Sequence, residues 1–337
     1  MHDGSAGVGL IGCGSIGSTL AAATDNAPDA ALVACCDVAA PAARTLAEDF
    51  DIAGWYTDHD ELLADPAVDL AIIGTPSGTH ASLAVDCATA GVHVLCIKPL
   101  DVTTERLDRM IAACAAHDVK LGGLFDTRFA AGPDRAYQLI EEGVLGTIVL
   151  ANGTLPVWRS QEYFDQADWR GTYEMDGGCL FNQGVHLVDR LAWMMDGIER
   201  VSADVATVAH DIEVEDVAAV TVRYGNGARG TIAATTATRH APHYDVMEFY
   251  GERGYLITSA AELLEFACDD RNEPAVTPRY EQRGFTVQIQ DMTEAIRDDR
   301  DPIITGREAR HASDAILAMY ASAERDEPVA VVDHRRA

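Results

Sequence analysis

Val8-Gly9-Leu10-Ile11-Gly12-Cys13-Gly14-Ser15-Ile16-Gly17 carries a short apolar run into a glycine-rich turn, and an alanine-rich stretch from Ser18 to Thr24 follows. After a polar break at Asp25 to Asp29, a second apolar run, Ala31 to Cys36, ends on Asp37. The pattern Gly12-x-Gly14-x-x-Gly17 is weak alone but informative in this strand, turn, helix, strand setting. Its glycines permit a tight turn, backbone approach to a pyrophosphate and close helix packing, and the unpaired N–H groups of the helix start, at Ser15 and Ile16, attract an anion. Asp37, at the end of the second strand, suits the two hydroxyls of an adenosine ribose, so NAD is favoured over NADP, whose 2′-phosphate would meet a negative charge. Outward from this unit the alternation continues. Helices are expected near 40–50, 60–64, 80–90 and 104–117, and strands at 54–56, 69–74, 92–97 and 120–125. Thr75-Pro76-Ser77-Gly78-Thr79-His80 leaves one of these strands at its carboxyl end, where parallel sheets bind ligands. Residues 1–125 are therefore expected to form a six-stranded dinucleotide-binding domain.

The second half changes character. Strand-like runs at 147–154, 200–208, 217–224, 229–238, 244–250 and 255–258 succeed one another, and Tyr224-Gly225-Asn226-Gly227 is a hairpin signal. Strands without intervening helices predict an α+β domain over 126–337 with a largely antiparallel sheet. Its C-terminal helices, 287–298 and 308–323, are left free to pack back on the first domain. The principal helix is expected at 177–195, entered through Gly177-Gly178. On a regular helix Asn182, His186 and Asp189, at i, i+4 and i+7, share one face, which is how a proton-handling site can be built.

Composition narrows the partners. The 337 residues carry 54 acidic and 25 basic side chains, a net charge of -29. That surplus opposes nucleic acid and anionic membranes, both polyanions. Just two of the cations are lysines, Lys98 and Lys120, and the balance resembles proteins of salt-loving archaea, whose self-repulsion molar salt screens. No apolar run is long enough to span a bilayer and the start lacks a signal peptide, so a cytoplasmic location is expected. The eight cysteines lie mostly in apolar runs without a C-x-x-C pair, as reduced core thiols do, and His240, His243 and Asp245 form no convincing metal site, so no metal is expected.

With the glycine loop, Thr75-Pro76 to His80, Val94-Leu95-Cys96-Ile97-Lys98-Pro99-Leu100 and the segment through His186 in this order, the chain resembles the Gfo/Idh/MocA oxidoreductases, the family of glucose-fructose oxidoreductase and inositol dehydrogenase. The resemblance implies an N-terminal Rossmann domain and a C-terminal domain whose open-faced sheet often serves oligomers, here a dimer or tetramer. It also implies nicotinamide-dependent chemistry on sugars, cyclitols and their derivatives. By the same resemblance Lys98 matches the lysine of a Glu-Lys-Pro motif, with a candidate cis Lys98-Pro99 bond, and His186 matches the family histidine. Ile97 stands where that motif has glutamate, and Asn182 where aspartate is usual. Asn182-Gln183-Gly184-x-His186, Trp169-Arg170-Gly171-Thr172 and Gln161-Glu162-Tyr163-Phe164 resemble a subgroup that includes nucleotide-sugar-acid 3-dehydrogenases.

Hydride transfer from a secondary alcohol needs a nicotinamide, a base for the hydroxyl proton and a donor for the developing alkoxide. His186 is the expected base, Lys98 the donor and relay, and Asn182 a hydrogen-bonding partner of a substrate hydroxyl or of Lys98. Gln183 and Asp189 rank behind them. The cofactor is expected to meet Gly12, Gly14, Ser15, Ile16, Gly17, Asp37, Thr75, Pro76, His80 and Lys98, with Trp169 and Arg170 near nicotinamide or substrate by resemblance. Arg128 and Tyr163, and behind them Arg159 and Arg190, are candidates to read a substrate carboxylate or phosphate. Two other functions compete with a dehydrogenase: a glycosidase or lyase that oxidises C3 transiently with bound NAD, and a nicotinamide sensor without catalysis.

Overall fold

β1 (Ala6–Ile11) is apolar or glycine throughout and buried along its whole length, as befits a strand covered on both faces. The computed structural model describes residues 5–241, 245–269, 278–280 and 283–336; residues 1–4, and His243 and Tyr244, read above for a signal segment, a metal ligand and a strand start, lie outside them. From β1 the chain alternates through α1 (Ser15–Asp25), β2 (Ala30–Cys36), α2 (Ala40–Asp49), β3 (Gly54–Tyr56), α3 (His59–Leu63), β4 (Leu70–Ile73), α4 (His80–Thr89), β5 (His93–Ile97), α5 (Thr104–Ala116) and β6 (Leu121–Leu124). The six strands form a parallel sheet in the order β3-β2-β1-β4-β5-β6. The order reverses between β1 and β4, so the loops after Ile11 and Ile73 open side by side at the switch point where such sheets bind ligands.

The chain divides into two compact units, Met1–Asp126 with Gln282–Ala309, and Thr127–Glu281 with Arg310–Ala337. In the second, α6 (Ala131–Glu141), β7 (Ile148–Pro156) and α7 (Gln161–Phe164) precede a π-helical turn at Leu180–Gly184, which runs directly into α8 (Val185–Met194). Then come β8 (Ile198–Ala206), β9 (Val217–Tyr224), β10 (Arg229–Thr235), β11 (Val246–Gly251), β12 (Gly254–Ser259) and β13 (Leu263–Cys268). α9 (Phe285–Arg297), α10 (Gly306–Arg325) and β14 (Val329–Ala330) complete the chain.

The second sheet has eight strands, β13-β12-β11-β7-β10-β9-β8-β14. β7 and β10 run parallel and the other neighbours antiparallel. Along β9, Ala218, Val220, Val222 and Tyr224 are buried while Ala219, Thr221 and Arg223 are exposed. One face therefore packs beneath α8, which buries Leu187, Val188 and Leu191, and the other stays open with Val149 and Leu150 exposed. The hairpin at Tyr224 forms as read, with Gly227 N–H donating to Tyr224 O at 3.0 Å.

α9 belongs to the first unit, the return that the sequence left open. Ile289 and Met292 join the core of Val8, Leu10, Leu70, Ile72 and Leu95, and Gln288 Nε2 donates to Gly123 O at 2.9 Å. All eight cysteines are free, and seven are buried. Burial pushes the Cys36 and Cys114 thiols up to about 12 and about 11, which leaves them inert.

Candidate active site

In the first unit the glycine loop has the shape of a phosphate cradle. A Cβ on Gly17 would lie 2.3 Å from Gly12 O, so α1 packs closer to the loop than any side chain permits. A Cβ on Gly14 would meet nothing within 4 Å. Gly14 caps α1 without a side-chain hydrogen bond and no acidic residue stands in the first turn, so the helix start at Ser15 and Ile16 carries neither a capping side chain nor a competing carboxylate of its own. Asp37 Oδ2 accepts from Cys13 N–H at 2.9 Å and Oδ1 from Ala39 N–H at 2.8 Å, which fixes the carboxylate beside the loop. These residues fit a dinucleotide, with Gly12 to Gly17 toward its pyrophosphate and Asp37 toward its adenosine ribose.

The loop after β4 is braced internally. Thr79 Oγ1 donates to Pro76 O and accepts from Thr75 Oγ1, both at 2.7 Å. His80 corrects an expectation: it is fully buried, with Nδ1 2.8 Å from Pro99 O and Nε2 2.8 Å from Thr75 O, so it shapes the loop from beneath and does not itself touch a cofactor. Burial is the main cause that holds its pKa below the ordinary histidine value. The Lys98-Pro99 bond is cis, Lys98 is half-buried at the end of β5, and Ile97 is a buried apolar side chain.

In the second unit the shared face expected for Asn182, His186 and Asp189 is kept by His186 and Asp189, one turn apart on α8, while Asn182 lies in the turn before it. The π-helical turn at Leu180–Gly184 inserts i→i+5 bonding between Asn182 and His186 and breaks the 3.6-residue register. Asp189 is buried and accepts from Arg128 Nε at 2.7 Å and Nη2 at 2.6 Å. Arg128, itself buried, is thus matched by Asp189 and is no reader of a substrate anion. Arg190 is likewise core, donating to His186 O at 3.0 Å and to Asp245. His186 stays half-buried with Nδ1 3.3 Å from Thr127 Oγ1. Thr127 and Arg128 are consecutive, so the segment Asp126–Phe129 grips α8 at His186 and again one turn on at Asp189.

The turn before these residues is held by groups the sequence reading missed. Gly177 and Gly178 have φ of 73° and 62°. A Cβ on Gly178 would lie 1.8 Å from Glu215 Oε2, because the buried Glu215 carboxyl sits against it and accepts from Leu180 N–H at 2.9 Å. Burial pushes the Glu215 pKa up to about 7. Tyr320 Oη lies 2.9 Å from both Glu215 oxygens and from Gly177 O. One phenol proton cannot serve carbonyl and carboxylate together. A proton on Glu215 resolves this, Glu215 donating to Tyr320 Oη and Tyr320 to Gly177 O.

A third group surrounds Tyr163. The Arg170 guanidinium lies 4.2 Å from its ring and that of Arg159 5.1 Å; Arg170 also lies 4.5 Å from the Trp169 ring, and Arg239 3.9 Å from Trp158. Among the described residues none of these three arginines forms an ion pair, and Nε of Arg159 and of Arg170 is buried without a hydrogen-bond partner. Arg239, Trp158 and Asp176, which accepts from Asn182 Nδ2, were not singled out in the sequence. The position of Asp176 next to the double glycine was the one available signal.

A parallel six-stranded sheet with a glycine-rich first loop, Asp37 on the second strand and a mixed-sheet second unit bearing His186 defines a nicotinamide-dependent oxidoreductase of the two-domain type. Residues 6–123 match the oxidoreductase family with an NAD-binding Rossmann fold, residues 134–257 match the GFO/IDH/MocA C-terminal domain, and the chain belongs to that family. The myo-inositol 2-dehydrogenase of Thermotoga maritima is 26% identical over 94% of this chain and 94% of its own. Among solved structures, the WlbA dehydrogenase of Bordetella pertussis, in complex with NADH and UDP-GlcNAcA, is 29% identical, covers 97% of this chain and 99% of its own, and superposes with a TM-score of 0.89. The corresponding Chromobacterium violaceum enzyme, with the same two ligands, is 28% identical over 98% and 97% with a TM-score of 0.90. Among the described residues no helix is long and apolar enough to cross a membrane.

Proposed function

We propose that the protein is an NAD-dependent dehydrogenase that oxidises a secondary alcohol of a sugar, cyclitol or nucleotide-sugar acid. The observation that carries this reading is His186, whose imidazole Thr127 holds through Nδ1 on a helix entered by the Gly177-Gly178 turn. Engagement at Nδ1 assigns the transferred proton to Nε2. Lys98 donates to the substrate oxygen as its negative charge develops, and Asn182 hydrogen-bonds a substrate hydroxyl. NAD, when bound, supplies the hydride acceptor; the glycine loop and Asp37 hold it.

Arg159, Arg170 and Arg239, which form no ion pair among the described residues, suit a substrate carboxylate or phosphate, and the WlbA structures with UDP-GlcNAcA support that choice within the class. We further propose a homo-oligomer formed through the open sheet face around Val149 and Leu150, acting in the cytoplasm. The test is NADH formation in about molar KCl with aldoses, inositols, sugar acids and UDP-sugars, with NADP as control. NADH from at least one of them supports the reading, whereas glycoside cleavage without net NADH, or a preference for NADP, contradicts it.

A further inference from the structure

Four side chains of the second unit form one polarised hydrogen-bond chain. Arg159 Nη2 donates to Gln183 Oε1 at 3.0 Å, Gln183 Nε2 to Asn182 Oδ1 at 2.7 Å, and Asn182 Nδ2 to Asp176 Oδ1. The ends decide the direction. A guanidinium can donate but not accept, and an ionised carboxylate accepts but cannot donate, so neither amide between them can be reversed without opposing like groups. Asp176 is 2% exposed, and its other oxygen accepts from Gly171 N–H at 2.8 Å. It therefore ties the turn carrying Trp169 and Arg170 to the π-helical turn carrying Asn182.

We propose that Asp176 is a positioning residue for the hydride transfer: it holds the Asn182 amide with Nδ2 toward its own carboxylate, so that Oδ1, which accepts from Gln183 Nε2 with one lone pair, keeps the other for a substrate hydroxyl. The proposal rests on the reading of Asn182 as a substrate contact. Asp176 acts on the substrate through Asn182, and Gln183 and Arg159 support the same orientation from the far side.

The test uses the full chain with NAD, UDP-GlcNAcA as the probe substrate, and four variants. Asp176→Asn keeps an acceptor for Gly171 N–H but turns an amide NH2 toward Asn182, so that Asn182 either opposes it with Nδ2 or flips and opposes Gln183 Nε2. Its kcat is expected to fall about tenfold or more while KM for NAD stays within about twofold and the melting temperature stays near that of the parent. Asn182→Asp sets a half-buried carboxyl against the buried Asp176 carboxyl, and both activity and melting temperature should then rise on acidification as one proton is shared. The exchange Asp176→Asn with Asn182→Asp restores one carboxylate and the full set of hydrogen bonds with one bond reversed. That acid dependence should vanish and kcat recover above that of Asp176→Asn. An unchanged kcat in Asp176→Asn, or identical melting profiles against pH for Asn182→Asp and the exchange, overturns the proposal. The melting comparison needs no turnover. Asn182→Ala separates the two levels: full turnover there sinks Asn182 as a substrate contact, whereas loss there with none in Asp176→Asn sinks the positioning role alone.

Discussion

Replacing Gly178 by alanine tests the entry to the π-helical turn at a single atom. The new methyl would stand 1.8 Å from Glu215 Oε2 at a backbone φ of 62°, so it meets two penalties at once. A left-handed conformation costs a non-glycine residue about 1–2 kcal/mol. Displacing the Glu215 carboxyl also breaks its bonds to Leu180 N–H and Tyr320 Oη inside the protein, and stranded buried polar groups cost about 1–3 kcal/mol each. The sum is roughly 3–8 kcal/mol, a large part of ordinary domain stability, and lowers the melting temperature by about 6 °C or more. Gly143→Ala is the control, because Gly143 has φ of 64° but nothing within 4 Å of its would-be Cβ. It should lose about 1 kcal/mol, a few degrees. Thermal unfolding of both variants followed by tryptophan fluorescence decides the matter: equal losses would show that Glu215 is not seated against Gly178.

Three further outcomes follow from the same structure. Glu215 binds its proton more tightly folded, at about 7, than unfolded, at 4.5, so stability should fall as pH rises through that window and stay lower above it, by roughly 3 kcal/mol in all. Glu215→Gln mimics the protonated acid and should flatten the melting temperature between about pH 5 and about pH 8; an unchanged slope places the titrating group elsewhere. Arg128→Ala strands the buried Asp189 carboxylate and should cost about 3–5 kcal/mol in chemical denaturation, whereas Arg128→Met with Asp189→Leu should recover most of it. Asp37→Ser removes the charge facing the ribose and should raise KM for NAD about tenfold while improving use of NADP; unaltered discrimination would remove Asp37 from cofactor choice.

The first unit was legible because its signals are local. The glycine spacing, the apolar strands and Asp37 each constrain backbone within a few residues, and the observed strands follow them closely. Leu263 to Cys268 escaped, since leucine, glutamate and alanine favour helix and pairing with β12 alone makes the segment a strand. In the second unit the sequence singled out His186 but not its surroundings. A helical wheel placed Asn182, His186 and Asp189 together, but nothing in the sequence announces the extra residue of a π turn. The partners that sort these side chains, Arg128, Asp176, Glu215 and Tyr320, are mostly distant in the chain. His80 was misread for a related reason: its position beside the ligand loop is visible in sequence, its complete burial is not.

The central claim is hydride transfer from a sugar alcohol to NAD with His186 as base and Lys98 as donor. Its most direct measurement is the initial rate of NADH formation by the parent, Lys98→Ala and His186→Ala on the best substrate of the panel, with NAD binding measured alongside. Losses of about 10²- to 10⁴-fold in kcat are expected for each variant with NAD still bound; full turnover in both variants would remove His186 and Lys98 from the chemistry.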